Sequence, residues 1–359
     1  MKLSDVCTKG TSNIAQKDLD ARNGTYPIYG ASGFIKNVDF YHQEKPYIAI
    51  VKDGAGVGRV MQLPAKSSVI GTMQYIIPNE GVSVEYLAYA LEHMNLSKYY
   101  LGAAIPHIYF KDYCSETLPN HTPEEQAHIS HVLGLVSNLI FLRKQQLSKL
   151  DELVKSRFIE MFGTETEFDR WDCCTIGDVS DVCVGVVIKP TQYYSQTGIP
   201  AFRSLNIGEM RVKDDDWVYF TEEGHQKNQK SIIRENDVLV VRSGAPGTAC
   251  VATKKYDGYN AIDIIIAHPD NSKVNSVFLA AFTNMPHGMN QIREGTGGAA
   301  QQHFNVGGYK SRSLILPPLE LQNEFEAFVK QIDKSKFEIQ QSLEKLETLK
   351  KALMQKYFG

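Results

Sequence analysis

The chain carries the same long segment twice. Residues 123–163 and 319–359 align without a gap, position 123 standing opposite 319 and position 163 opposite 359. Glu124/Glu320, Gln126/Gln322, Phe141/Phe337, Gln145/Gln341, Leu147/Leu343, Lys149/Lys345, Leu150/Leu346, Leu153/Leu349, Lys155/Lys351, Phe162/Phe358 and Gly163/Gly359 are identical across the pair. A repeat of this length constrains the fold more than composition does, because each copy needs an apolar partner and the other copy supplies one. A helix duplicated within one chain suggests a dimer folded into a single polypeptide.

Each copy reads as a helix, because its apolar residues recur in alternating steps of three and four. The first stripe is Ile129, Leu133, Val136, Ile140, Leu147, Leu150 and Val154, running on to Met161; the second is Phe325, Val329, Ile332, Ile339, Leu343, Leu346 and Leu353, running on to Tyr357. Such stripes are coiled-coil seams. Ile140 and Val154 of the first copy correspond to Lys336 and Lys350 of the second, while Arg143 and Arg157 correspond to Ile339 and Leu353. That fits two unlike helices packing on each other better than two identical seams. Acidic residues open each copy and basic ones crowd its second half, as the helix dipole favours. A helix over either copy would be ~60 Å long, more than most single domains are wide.

The repetition extends upstream. Leu3-Ser4-Asp5-Val6 is echoed by Ile176-Gly177-Asp178-Val179, and Val51-Lys52-Asp53-Gly54-Ala55-Gly56 by Val241-Arg242-Ser243-Gly244-Ala245-Pro246. Residues 82–94 are echoed by 274–286, and Gly102–His107 by Gly298–His303. The order is kept throughout, so the chain reads as globule (1–122), helix (123–163), globule (164–318), helix (319–359). The expected class is α+β: strand-rich globules of mixed α/β content, each followed by a long helix, with the two helices pairing as an antiparallel coiled coil of pseudo-two-fold symmetry. The second globule is the longer, with extra polar sequence around Val212–Arg234.

Net charge is −3. Basic and acidic residues number 11 and 11 in 1–122 and 15 and 18 in 164–318, so neither globule is basic. A nucleic-acid partner would have to be met by local patches, or with much of the phosphate contact supplied by another subunit. No apolar run is long enough to span a bilayer, and Met1-Lys2-Leu3-Ser4-Asp5 turns polar at once, so a cytoplasmic protein is expected. The six cysteines show no CxxC and no metal-ligand spacing with histidine; reduced structural thiols are expected, and no metal site.

No catalytic signature is present: no Walker loop, no GxSxG, no HExxH and no adenine-methyltransferase tetrapeptide. Gly54-Ala55-Gly56-Val57-Gly58 lacks the Lys-Ser/Thr ending of a phosphate loop and reads as a hairpin turn between strands. His107 and His303 stand at matched positions without a matched nucleophile or carboxylate, so they read as loop histidines near a binding face.

The order globule, helix, globule, helix resembles the specificity subunit of Type I restriction-modification enzymes. So do the openings at Leu3–Val6 and Trp171–Val179 and the approaches to the helices, Gly102–Gln126 and Gly298–Gln322. The likeness covers the whole chain. Two departures are that no Trp precedes Leu3 as Trp171 precedes Ile176, and that Leu321 stands where the first copy has Glu125. The resemblance implies a non-catalytic subunit that binds double-stranded DNA, each globule reading one half of a split, asymmetric target. It implies that the helices space the halves and dock two methyltransferase subunits, and that restriction subunits join them. S-adenosylmethionine, ATP and Mg²⁺ would belong to those partners, with no cofactor on this chain.

Base edges are read by fork and amide side chains, Arg and Lys toward guanine, Gln and Asn toward adenine. Candidates beside the glycine turns and on the approaches to the helices are Lys36, Lys52, Arg59, His107 and Lys111 in the first globule. In the second they are Arg203, Arg242, Gln301, Gln302, His303 and Lys310. Two other readings remain open from sequence: a coiled-coil scaffold whose globules bind proteins, and an enzyme with an unfamiliar site.

Overall fold

In the computed structural model, which describes residues 1–100, 106–294 and 304–359, the architecture is carried by helices α1 (Val84–His93), α2 (Pro123–Phe162), α3 (Ser276–Asn284) and α4 (Leu319–Phe358) and by two four-stranded sheets. The chain divides into two compact units, Met1–Gln145 with Gln340–Gly359, and Gln146–Ile339. Each long helix therefore gives one half to each unit. The sequence repeat divides the chain after Gly163, but antiparallel pairing sets the end of α4 beside the start of α2, and that exchanges the halves.

In the first unit the sheet runs β1 (Cys7–Thr11), β4 (Met73–Pro78), β2 (Tyr47–Val51), β3 (Val60–Leu63), all antiparallel. Strand β2 reads Tyr-Ile-Ala-Ile-Val because both of its faces are covered. Ile48, Ile50 and Ile76 pack on Leu87 and Leu91 of α1, while Tyr47, Ala49, Val51 and Tyr75 fill the core on the other side. The second unit builds the same sheet in the same order, β5 (Ser180–Val184), β8 (Ile264–Pro269), β6 (Val238–Val241), β7 (Ala249–Val251). Val238, Val240, Ile265 and Ala267 pack toward Phe278 and Phe282 of α3, and Leu239, Val241, Ile264 and Ile266 toward Phe202.

Each unit adds a second sheet containing one parallel pairing, three-stranded in the first, with Tyr26–Gly30 beside Ser68–Val69, and four-stranded with shorter strands in the second, with Ile199–Phe202 beside Asn260–Ala261. The extra sequence of the second unit forms the strand Val218–Phe220 of that sheet and the short helix Glu222–Lys227.

The seam forms within each unit. In the first, Ile129 and Leu133 of α2 meet Leu353, Met354 and Tyr357 of α4; in the second, Val154, Phe158 and Phe162 meet Phe325, Val329 and Ile332. Val136 and Leu343 are also buried, and Ile140, Leu147, Leu150, Ile339, Leu346 and Leu353 are half-buried, so no expected seam position faces solvent fully. Phe158 and Met354 lie off the expected stripe yet are buried, since near its ends the helix pair packs on the globules as well as on itself. Where one helix brings a lysine the other brings an aliphatic residue: Ile140 and Lys350 line one cavity, Val154 and Lys336 another. Lys350 reaches Glu92 at 3.1 Å and Lys336 reaches Asp151 at 2.7 Å, so each stem packs while its charge is paired.

The two helices are anchored alike and capped differently. Gln126 donates to the His121 carbonyl (3.0 Å) and accepts from the Ser83 amide (3.1 Å) ahead of α1; Gln322 donates to the Pro317 carbonyl (2.7 Å) and accepts from the Asn275 amide (2.8 Å) ahead of α3. Both glutamines are buried, which explains their identity in the repeat. Thr122 and Glu125 form a reciprocal capping box on α2, at 2.8 and 3.3 Å. Pro318 and Leu321 occupy the matching places on α4 and cannot form one; there the Pro318 carbonyl takes the Leu321 and Gln322 amides. At the far end of α2, Gly163 turns the chain at φ +89° and the Trp171 indole donates to the Phe162 carbonyl at 2.8 Å.

Candidate nucleic-acid interface

In the first unit the turn after β2 requires glycine at Gly54 (φ +86°), Gly56 (φ +89°) and Gly58 (φ +85°). At Gly58 a Cβ would stand 2.5 Å from the Ser97 amide nitrogen, so the turn is pressed against the segment after α1. The Gly54 amide donates to the Pro106 carbonyl (2.9 Å) and the Ile108 amide to the Lys52 carbonyl (2.9 Å). These bonds bring His107 and Lys111 beside the turn. Arg59 donates from it to the Ala31 carbonyl at 2.9 Å, tying in the hairpin that carries Phe34.

Four of the expected residues, Lys52, Arg59, His107 and Lys111, are thus gathered by backbone pairing around one glycine turn. Lys52 lies 3.7 Å from Asp53, the His107 ring meets Tyr109 edge-on at 5.0 Å, and Lys111 sits over the Tyr109 ring at 5.3 Å. Lys36 is held apart, its ammonium donating to the Leu19 carbonyl at 3.0 Å. The sequence reading missed two exposed aromatic rings, Tyr109 (48% exposed) within this cluster and Phe34 (59% exposed) on the hairpin that Arg59 ties in. The available signal was an aromatic residue directly after a glycine turn and between two basic residues.

In the second unit the equivalent turn is built around Gly244 (φ +90°) and Gly247 (φ +96°). The Phe304 amide donates to the Arg242 carbonyl at 3.1 Å, repeating the bond between Ile108 and Lys52. Here, however, the basic residue before the turn is engaged. The Arg242 guanidinium donates to the Phe304 carbonyl (3.0 Å) and pairs with Asp263 (2.6 Å), whose other carboxylate oxygen accepts from Ser243 (3.1 Å). With its side chain 20% exposed, Arg242 clamps the turn to its neighbours. Asp263 also bonds through its amide to the Val186 carbonyl (3.2 Å), placing beside the turn the loop that carries Val187 and Ile188, the latter 79% exposed.

The remaining candidates are spread out. Arg203 is held by the Asp216 carboxylate (3.2 Å) and by the carbonyl of the same residue. Lys310, at the end of a short helix, lies 3.6 Å from Asp181 on β5. Gln301, Gln302 and His303 fall outside the described residues. Among the described residues no cluster of His, Cys, Asp and Glu is arranged to hold a metal ion, and no helix is long and apolar enough to cross a membrane.

The family model of the Type I restriction modification DNA specificity domain matches residues 1–152 and again 169–351. The chain is 22% identical over 306 residues to the Type I restriction enzyme MjaIX specificity subunit of Methanocaldococcus jannaschii, covering 78% of this chain and 69% of that one. Its fold is similar to the crystal structure of a Type I restriction-modification S subunit from M. genitalium, with a TM-score of 0.62 at 14% identity over 100% of this chain and 95% of that one. It is also similar, with a TM-score of 0.52 at 15% identity over 99% and 96% of the two chains, to a chain from structural work on complex assembly and conformational transition of the type I R-M system.

Proposed function

This chain belongs to the family of Type I restriction-modification DNA specificity subunits, and from that premise we propose that its two globules read the two halves of a split, asymmetric DNA target. The long helices set the spacing between the halves and dock two methyltransferase subunits, to which restriction subunits attach. One observation carries the reading: the same sheet and glycine turn are built twice, with different side chains around each turn. A shared scaffold with unlike loops is what a reader of two unlike sequences requires.

The chemistry around each turn supports this division. In the first unit Lys52, Arg59 and Lys111 offer cations and His107 a donor and acceptor, for phosphates and base edges. Phe34 and Tyr109 offer flat apolar surface for a thymine methyl or a sugar. In the second unit Arg242 is spent on rigidity, and recognition falls to the loops that the turn supports. With a net charge of −3, this chain supplies too few cations to neutralise a long run of phosphates. Its methyltransferase partners add them, and bring the S-adenosylmethionine chemistry; ATP and Mg²⁺ serve the restriction subunits.

The test is binding of a duplex bearing the host's methylated motif, measured against salt for the chain with and without its methyltransferase. Tight, motif-selective and salt-sensitive binding only for the complex is expected. Complexes that bind the motif no better than arbitrary duplex would overturn the reading.

A further inference from the structure

Three side chains of the second unit, none of them used above, form a relay. Cys183 on β5 has its sulfur 3.6 Å from Nε2 of His268 on β8, and Nδ1 of that histidine lies 2.6 Å from a carboxylate oxygen of Asp237. Asp237 is almost fully buried and is fixed by the Arg234 amide, which donates to its other oxygen at 2.7 Å. The His268 side chain is 17% exposed and Cys183 is half-buried, so the relay runs from the interior toward the surface. The imidazole lies between sulfur and carboxylate, which is the order of a nucleophile, a base and the group that orients the base.

We propose that Cys183 is a nucleophilic modification site, its thiol activated by His268 and Asp237 and open to soft electrophiles of the peroxide class. The fold does not demand these residues. The first unit builds the same ladder, where the register places Gly10, Tyr47 and Ile77 at the positions of Cys183, Asp237 and His268. Nor is the cluster a chelate, because the carboxylate and the sulfur bind opposite nitrogens of one ring.

The Asp237 hydrogen bond, followed by the contact with Cys183, pushes the His268 imidazole up to about 9. At 3.6 Å the imidazole edge stands where it can hydrogen-bond the sulfur once the thiol gives up its proton, and the thiolate is the form that reacts. The other charged groups around the pair are accounted for. Asp181, opposite His268 across the ladder, lies 3.6 Å from Lys310; Lys230 contributes its carbonyl, which accepts the Cys183 thiol at 3.2 Å; Arg234 contributes its amide to Asp237. In the reaction the thiolate attacks a peroxide oxygen, an S–O bond forms as the O–O bond breaks, and the departing hydroxide takes the His268 proton to leave as water. Cys183 becomes a sulfenic acid.

Cys173, exposed and without such partners among the contacts of its thiol, lies in the same tryptic peptide and serves as the internal reference. The full chain is pulsed with iodoacetamide between pH 6 and 9 and the label localised by fragment ions. A parallel sample receives hydrogen peroxide with dimedone. We expect Cys183 to react about tenfold faster than Cys173 at pH 7. The dimedone adduct is expected at Cys183. In H268Q the Cys183 rate should fall to that of Cys173 or below. Equal rates in the wild-type chain would overturn the proposal whether or not H268Q folds, and fast alkylation without a dimedone adduct would overturn the peroxide assignment.

Discussion

Gln322 shows how a residue visible in the sequence can have a role that only the fold reveals. Its identity with Gln126 was visible, but the amide that each glutamine satisfies lies far away in sequence. In the structure it is buried and satisfies the amide ahead of α3, and removing it orphans that amide. Gln322→Ala should therefore cost about 1–3 kcal/mol in denaturant unfolding, against at most about 0.5 kcal/mol for Gln340→Ala on the exposed face of α4. His268 gives a second test. Because its imidazole is raised to about 9 in the fold, the Asp237 pairing contributes its full stability below about pH 6.5 and loses it as pH rises through 9. Unfolding of wild type and H268Q at pH 6 and pH 9.5 should show the gap between them shrinking by up to about 3 kcal/mol at the higher pH. Sequence could not expose that group, since Cys183 and His268 come from two strands and Asp237 from the residue ahead of a third, with no local spacing. The candidate interface was legible only in part for the same reason. Lys52 and Arg59 announced themselves beside a glycine turn, but that Arg242 is neutralised by Asp263 follows from strand pairing.

Among the elements, the long helices were the most legible, because a 3.6-residue period sustained over 40 residues has few competing explanations. Phe158 and Met354 escaped because their burial depends on the globules packed near the ends of the seam, which no periodicity encodes. The lysine and aliphatic partners within the seam were visible as a mismatch between copies; pairing of Lys350 with Glu92 and Lys336 with Asp151 supplies the reason. As the proposed ruler, the seam makes a quantitative prediction. Seven residues inserted at matched places in both helices keep the stripe in register and lengthen each helix by ~10 Å, about three base pairs. Methylation by the engineered complex should keep both half-sites and lengthen the spacer. A four-residue insertion between Gln145 and Gln146 rotates the stripe by ~40° and should lower the melting temperature as well. An unchanged spacer at full activity after the seven-residue insertion would show that the helices are not the ruler.

At the scale of the whole molecule, the α+β class and the doubled organisation follow from the repeat, whereas the compact units do not coincide with it. Residues 340–359 close the unit that begins at Met1, because each seam needs a strip of both helices. A globule can therefore be exchanged cleanly only if both helices are left intact, which puts the junction at residue 122, ahead of Pro123. As proposed, each globule reads its half-site independently on a shared scaffold. The most direct measurement is the methylated motif written in a host whose specificity subunit carries residues 1–122 from a relative with a different target. One half-site should change to the donor's while the other half-site and the spacer stay as they were. A motif altered in both halves, or in its spacer, would contradict it.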